Sequence, residues 1–564
     1  MTPLKVSLLG TFTTAFVARM LDLFLLDMGI DATIDEAPYG GMVEHALNPR
    51  SSLYEGRPGV VVILAHEESV RDAPRVFASD DEAAALARAE ADRWASLWDA
   101  IHRQLPAAII QGNIPLPDAS PTGSLDGAAA WGRVRYIRRV NEELARRARP
   151  GVTLFDIEYL TASYGLRRAI DHAAYQLSKQ PFSFDFLPTC CHRLARLVAA
   201  TQGRARKCVV VDLDDTLWGG TVGEDGADAL AVGPDSADGE AFSSFQRYLR
   251  DLRERGILLA VCSKNDDSVA RAAFAARVDM PLRIDDFACF VANWDDKASN
   301  VQRIASALNI GLDSLVFIDN SAEERELIRR ALPEVTVVDL PDDPVEYVRA
   351  VDRSALFELT EISGESALRT KQMHEEQARQ GVAASFVDYD AYLESLALEA
   401  RFHPIDADTL PRVAELIQRT NQFNLRSVRH SAEQVRQFVA TYGNVGFAVS
   451  LADRFGSQGT ISVVLLQNDG DTLFVDTWLM SCRVLKRGVE GLVANRIVAE
   501  ARRLGARAVI GEYRPTAKNG MVADHYPTLG YALDSEVEGH KRYRLDIHDG
   551  TAPQRHFIKE ASAR

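Results

Sequence analysis

The chain has no long apolar run. Its most hydrophobic N-terminal stretch, Leu21 to Met28, is interrupted by Asp22 and Asp27 and is too short to span a bilayer, so no membrane partner is expected. Cysteine is scarce. The six residues, Cys190, Cys191, Cys208, Cys262, Cys289 and Cys482, show no paired CxxC spacing and follow no signal peptide, which argues for free thiols in a reducing cytoplasm. Positive charge is in deficit, 64 Lys and Arg against 80 Asp and Glu, and the net charge of −16 argues against a nucleic-acid partner. What remains is a soluble globular chain of 564 residues, 46% hydrophobic and 26% charged, long enough for about three or four domains.

What is present centres on residues 208–220, Cys-Val-Val-Val-Asp-Leu-Asp-Asp-Thr-Leu-Trp-Gly-Gly. Val209 to Val211 read as the end of a buried parallel strand, and Asp212, Asp214 and Thr216 follow at its carboxyl end, where open α/β sheets bind ligands. An apolar strand that runs straight into Asp-x-Asp-x-Thr points to carboxylates holding a cation. The chemistry that suits them is phosphoryl transfer: Asp212 attacks phosphorus, Asp214 protonates the leaving oxygen and then activates water, and Mg2+ offsets the crowded negative charge.

Three more pieces follow in the order such a site needs. Ile257 to Val261 form a second apolar strand ending in Cys262-Ser263-Lys264-Asn265, where the Ser263 hydroxyl, with Asn265 beside it, can hold a phosphoryl oxygen. Lys297, in Asn-Trp-Asp-Asp-Lys, supplies a positive charge for the phosphorylated intermediate. Leu315 to Ile318 form a third strand ending in Asp319-Asn320-Ser321. The expected metal ligands are therefore Asp212, Asp214, Asp319 and Asn320, with Thr216 at the phosphate. At this point residues 208 to about 340 resemble a haloacid-dehalogenase (HAD)-type phosphatase, and Leu-Asp-Asp-Thr-Leu-Trp-Gly-Gly-Thr-Val-Gly-Glu-Asp-Gly resembles the FkbH branch of that superfamily. The sequence departs from the FkbH pattern at Asn320, where a second aspartate is usual, so the metal site has one negative charge fewer. Between the first motif and Ser263, after a Gly- and Asp-rich loop from Gly219 to Gly239, there is room for one helix, Glu240 to Arg255, and no large cap domain. Such an open site can admit a macromolecule or be covered by another domain. Cys262 and Cys289 sit in apolar runs and read as core.

Residues 1–200 alternate strand-like runs (Lys5 to Leu9, Gly59 to Leu64, Ala107 to Gln111, Thr153 to Ile157) with helical stretches, which implies a parallel, doubly wound sheet. The strand-end loops Gly10-Thr11-Phe12-Thr13-Thr14 and Gly112-Asn113 sit where an SGNH-type esterase would carry its nucleophile and an oxyanion-hole Asn. There is no Gly-Asp-Ser and no late Asp-x-x-His, and Asp171 and His172 are adjacent instead, so this SGNH-like domain is expected to be noncatalytic and to serve docking or support. Cys190-Cys191-His192 lies in the helical stretch Leu187 to Ala200 and reads as a buried helix face. Thr201 to Lys207 is the first domain boundary, and the phosphatase unit covers 201–340. Residues 341–397 read as a helical connector with a turn at Ser363-Gly364-Glu365, and the charge run Arg369 to Arg379 as its solvated face.

The last unit, 398–548, changes character, and a tail of 549–564 follows it. Asn444 to Leu451, Gly459 to Leu466 and Thr472 to Met480 read as successive antiparallel strands, then Val489 to Leu504 as a helix and Ala506 to Tyr513 as a further strand. With the ending Tyr526-Pro-Thr-Leu-Gly-Tyr531 this resembles a GNAT-type acyltransferase. The basic turn Arg483-Val-Leu-Lys486-Arg487-Gly488 opens the helix, so Arg483, Arg487 and the Gly488 main chain are candidates to hold a phosphate. Lys486 stands where the acyl-CoA loop commonly has glycine, which weakens a pyrophosphate site more than a site for the single phosphate of phosphopantetheine.

Cys482 lies at the junction of the Trp478-Leu-Met-Ser strand with that basic turn, near where a GNAT enzyme places its thioester. Taken alone it reads equally as a thiolate favoured by Arg483, Lys486 and Arg487 or as a small apolar residue ending a strand. Its Ser-Cys-Arg-Val-Leu context matches the FkbH pattern, and with a phosphatase on the same chain the nucleophile reading gains, with His525 as candidate base.

The expected fold class is thus α/β: two doubly wound parallel-sheet domains, SGNH-like and then HAD-like with a minimal cap, followed by an α+β GNAT-like domain. What the FkbH resemblance implies is a reaction of 1,3-bisphosphoglycerate: its acyl phosphate acylates Cys482, its remaining phosphate is removed at Asp212, and the glyceryl group passes to the phosphopantetheine thiol of an acyl carrier protein for polyketide-type biosynthesis. An acidic carrier would have to dock on a local basic patch of this acidic chain. Two rival readings stay open, a Mg2+-dependent small-molecule phosphatase and a noncatalytic carrier-protein scaffold.

Overall fold

Val60–Leu64 is five consecutive aliphatic residues, all buried, a pattern that suits a strand covered on both faces. In the computed structural model it is the third strand, β3, of a five-stranded sheet with β1 (Thr2–Gly10), β2 (Ile30–Glu36), β4 (Ala108–Gly112) and β5 (Val152–Phe155). The order is β2-β1-β3-β4-β5 and every pairing is parallel. Helices Ala15–Asp27 and Leu187–Thr201 cover one face of the sheet, and Asp80–His102 and Arg133–Arg147 the other. The sequence reading missed β2: its apolar residues are few, as befits an edge strand that buries little. Cys190 and Cys191 are core residues of the Leu187–Thr201 helix, and burial pushes the Cys191 thiol up to about 12.

The described residues are 2–360, 368–383, 386, 388–516, 518–548 and 551–561, the side chains at 377, 380, 381, 383 and 482 excepted; the expected turn at 363–365 lies outside them. The chain forms two compact units, Met1–Gly203 with Arg429–Gln437, and Arg204–Val428 with Phe438–Arg564.

The second unit begins with another parallel sheet: β6 (Cys208–Val211), β7 (Leu258–Ser263), β8 (Cys289–Ala292), β9 (Leu315–Asp319) and β10 (Thr336–Asp339), in the order β10-β9-β6-β7-β8. The chain winds outward from β6 through β7 to β8, then returns to β9 on its other side. The winding therefore reverses at β6, and the crevice at its carboxyl end is where such sheets bind ligands. Among the described residues, one helix longer than a single turn, Ala237–Glu254, lies between β6 and β7.

Helix Arg369–Ala383 corrects an expectation. Its charged residues do not form a solvated face. Arg379 is 1% exposed and its guanidinium pairs with Asp453 at 2.6 Å, while Met373 joins the phosphatase core and His374 bonds the Phe287 carbonyl at 2.8 Å. The helix is a brace between the phosphatase sheet and the C-terminal sheet: Arg379 and Glu376 are buried because each finds a partner there, while Lys371 stays exposed.

The C-terminal sheet comprises β11 (Glu399–Pro404), β12 (Val445–Asp453), β13 (Gly456–Asn468), β14 (Thr472–Met480), β15 (Ala508–Tyr513), β16 (Ala532–Val537), β17 (His540–Asp546) and β18 (Lys559–Glu560). Their order is β16-β17-β15-β14-β13-β12-β11-β18, antiparallel except for β14 with β15 and β11 with β18. β14 and β15 pair only over Thr472–Phe474 and Ala508–Ile510, then part. Residues 423–425 enter the gap: Met480 N donates to Phe423 O at 3.1 Å, and Arg514 N to Leu425 O at 2.9 Å. Helix Val489–Leu504 buries Val489, Val493, Ile497 and Ala501, as its apolar spacing requires.

Candidate active site

Two strand ends of the second sheet and one helix N-terminus bring the expected phosphatase residues together. Asp212 follows β6, Asp319 ends β9, and Lys297 opens helix Lys297–Leu308, which Asp296 caps. Lys297 Nζ lies 2.9 Å from Asp212 Oδ2 and 2.5 Å from Asp319 Oδ2, with all three side chains buried. Burial alone would lower the Lys297 pKa; Asp212 and Asp319 together outweigh it and raise it. Burial, then the neighbouring Asp212, raises Asp319 to about 6 against the opposing pull of Lys297. The second oxygen of Asp212, Oδ1, is buried and accepts no hydrogen bond from the described residues. A buried carboxylate oxygen without a partner is costly and marks a place prepared for a ligand.

Asp214 stands apart from this trio. Its Oδ1 accepts from Trp218 Nε1 at 2.8 Å and from Val222 N at 3.0 Å, and its Oδ2 from Asn265 Nδ2 at 2.8 Å. Three donors fix the orientation of this carboxylate, which suits a proton-transfer group. Trp218 was missed by the sequence reading although it lies four residues beyond Asp214; it is fully buried against Phe274. Asn265 also donates to Ser263 Oγ at 3.2 Å, which places the expected phosphate hydroxyl at the end of β7.

Thr216 does not face the crevice as a free hydroxyl. It is fully buried, accepts from Asn320 N at 3.1 Å and donates to Asn320 Oδ1 at 3.3 Å, so it ties the β6 loop to the β9 loop. Cys262 is core, its thiol pushed up to about 12 by burial. Among the described residues no group of three or more His, Cys, Asp and Glu side chains forms a ready metal cluster. The fit is instead to a hydrated Mg2+, which keeps several waters and takes few protein ligands. Asp212 Oδ1, Asp319 and the Asn320 amide oxygen are the groups to hold it.

The C-terminal candidates fare differently. The main chain of Cys482 opens the 3-10 turn Cys482–Val484, and its side chain lies outside the described residues. Arg483 turns to Gln372 and Ser481. Arg487 is 5% exposed and paired with Glu376 of the brace helix, so it is a structural cation and not an open phosphate ligand. Gly488, at φ +85°, does cap helix Val489–Leu504, a conformation that glycine permits. That helix N-terminus is covered, however. Gln554 exchanges hydrogen bonds of 2.9 and 2.7 Å with Asn495, and a Cβ at Gly491 would lie 3.1 Å from Arg555 O.

His525 is packed between aromatic rings, with centroids 4.5 Å from Trp478 and 4.8 Å from Phe423, and burial lowers it to about 3. Such an imidazole is a poor base for a thiol, which corrects the expectation of a base there.

In the first unit the SGNH-like loop residues are hydrogen-bonded within the chain. Thr11 Oγ1 accepts from His66 N at 2.9 Å, Thr13 Oγ1 donates to Ser178 O at 2.6 Å, and Asn113 donates to Asp156 at 2.7 Å while accepting from Glu158 N at 2.9 Å.

Residues 5–199 match the family model described as FkbH, N-terminal domain. The solved N-terminal part of the protein BF1531 from Bacteroides fragilis, which contains a phosphatase domain complexed with Mg, is 31% identical, covers 64% of this chain and 95% of its own, and has a TM-score of 0.59. The chain belongs to the FkbH family. The parallel sheet of β6 to β10 is accordingly HAD-like. Similarity over the C-terminal part is to the GNAT domain of S. lividans PAT (24% identity, 28% of this chain, all of that one, TM-score 0.22) and to the ribosomal-protein-S18-alanine N-acetyltransferase from Escherichia coli (14%, 26% and 94%, 0.21). No curated protein sequence matches the chain.

Proposed function

We propose that this FkbH-family chain takes the glyceryl group of 1,3-bisphosphoglycerate onto Cys482, removes the remaining phosphate at Asp212, and delivers the glyceryl group to the phosphopantetheine thiol of an acyl carrier protein, making a glyceryl carrier for polyketide-type biosynthesis in the cytoplasm. The observation that carries the reading is Asp212: a buried carboxylate with one oxygen on Lys297 and the other without a hydrogen-bond partner among the described residues, at the reversal point of a parallel sheet. No helix among the described residues is long and apolar enough to cross a membrane.

Asp212 attacks phosphorus and becomes the aspartyl phosphate, with Lys297 holding positive charge against it. Asp214, fixed by Trp218, Val222 N and Asn265, gives its proton to the departing oxygen, then takes one from the water that hydrolyses the intermediate. Ser263 and Asn265 hold the phosphoryl group. Mg2+, bound by Asp212, Asp319 and Asn320, would neutralise phosphate charge when present. The Mg in the Bacteroides fragilis relative supports that choice of ion.

The test is intact mass spectrometry of a holo-carrier protein after incubation with the enzyme, Mg2+ and freshly generated 1,3-bisphosphoglycerate. A glyceryl adduct should form with the wild type, disappear with Cys482→Ala, and become a phosphoglyceryl adduct with Asp212→Asn. Free phosphate with no adduct on any carrier would reduce the chain to a phosphatase.

A further inference from the structure

A cavity of about 400 Å3 lies inside the second unit, with Ser481 and Arg483, the neighbours of Cys482, on its wall. Its volume is within the range of small-molecule sites. Six cations line it: Lys207, Arg369, Arg412, Arg419, Arg483 and Lys518. Asp313, paired with Lys518, is the one carboxylate on its walls among the described residues. Behind the wall, Glu415 serves three arginines at once, Arg369, Arg412 at 2.9 Å and Arg419 at 3.0 Å. Burial, then Arg419, holds Arg369 well below the usual arginine value although Glu415 opposes. Arg369 Nε, on the lining, is a buried donor without a hydrogen-bond partner among the described residues. In a chain of net charge −16, such a pocket is built for an anion. The other candidate anion site, the N-terminus of helix Val489–Leu504, is covered by the chain's own residues 554 and 555.

We propose that this cavity is the acyl-donor site: it binds a short phosphorylated acyl group, with the phosphomonoester among the arginines and the acyl carbon at the turn that carries Cys482. The proposal rests on the reading of Cys482 as the acylated nucleophile. In the step it implies, the Cys482 sulfur bonds to the acyl carbon as the bond from that carbon to the phosphate oxygen breaks. The phosphate leaves with the electron pair and takes up the thiol proton.

The experiment follows Cys482 itself by peptide mass spectrometry, as the rate of its modification by a neutral alkylating agent in Mg2+-free buffer. The stable probe 3-phosphoglycerate is compared with glycerate and with inorganic phosphate. In the wild type, 3-phosphoglycerate should slow alkylation at least about fivefold and glycerate should not, since the phosphate supplies the charge-assisted contacts. Arg369→Gln should raise the half-protecting concentration about tenfold, and Arg483→Gln, checked like the first for an unchanged melting profile, should do the same. Protection equal to that by inorganic phosphate would still place the anion here and would limit recognition to the phosphate. No protection in the wild type, or protection untouched in both variants, overturns the site. Protection with no glyceryl adduct on a carrier would keep the site and fail the transfer reading. An adduct formed without protection would fail the site and keep the transfer.

Discussion

Lys297 Nζ sits 2.9 Å from Asp212 Oδ2 with the lysine side chain 3% exposed, so this carboxylate and its counter-charge are buried as a pair, and Asp319 shares the same ammonium. Lys297→Met would leave two buried carboxylates facing each other without a cation. The expected cost is about 3–5 kcal/mol of apparent stability, less whatever is regained when one carboxylate takes a proton. Urea denaturation in Mg2+-free buffer measures it, and phosphatase turnover of p-nitrophenyl phosphate should be lost in the same variant.

Asn320 stands where FkbH-type sequences usually carry an aspartate, and its amide oxygen accepts from Thr216 at 3.3 Å. A carboxylate could accept the same bond and would add one negative charge to the metal site. Asn320→Asp should therefore lower the Mg2+ concentration for half-maximal phosphatase activity by about tenfold, since ligand charge tunes the affinity of such sites. A Mg2+ titration of turnover reads this directly, and an unchanged midpoint would mean that Asn320 stays outside the ion's ligands.

Both parallel sheets were legible because their central strands are unbroken apolar runs, as in Val209 to Val211 and Val60 to Leu64, and Asp212 and Asp319 stood out as candidates because each lies at the end of such a run. The failures share a cause. Arg379 finds Asp453 and Arg487 finds Glu376, partners 74 and 111 positions away, so no local pattern distinguishes these buried charges from solvated ones. His525 was misread for the same reason, since the rings that enclose it, Trp478 and Phe423, come from distant segments. The basic turn before Gly488 showed its charge in sequence, but not the tail residues Gln554 and Arg555 that lie over the following helix.

The brace helix gives a prediction about stability. Arg379 and Asp453 are 1% and 0% exposed at the side chain, and Asp453 also accepts from Gln458 at 3.0 Å and from Phe455 N at 2.9 Å. Arg379→Met should cost about 3–5 kcal/mol by stranding the Asp453 charge. Adding Asp453→Asn should return at least about 1 kcal/mol, because a neutral amide keeps an acceptor for the local donors without the uncompensated charge. Chemical denaturation of the single and double variants decides it, and equal costs would show that the helix is held by packing alone.

His525 supplies a test in which stability and chemistry part company. Its pKa is lowered by burial to about 3 from an ordinary value of 6.5, so between those limits the native protein leaves it neutral while the unfolded chain protonates it. The unfolded state then binds the extra proton, and stability contributed by the neutral imidazole is complete above pH 6.5 and lost as pH falls toward 3, at about 1.4 kcal/mol per pH unit. His525→Phe keeps an aromatic ring against Trp478 and Phe423 and has no proton to bind, so its acid unfolding should begin at lower pH than in the wild type. Urea midpoints between pH 7 and 4.5 should diverge in that direction. If His525 were instead the base for Cys482, the same variant would lose acylation of the thiol at pH 7; the buried, low-pKa ring predicts that alkylation of Cys482 at pH 7 changes by less than about twofold.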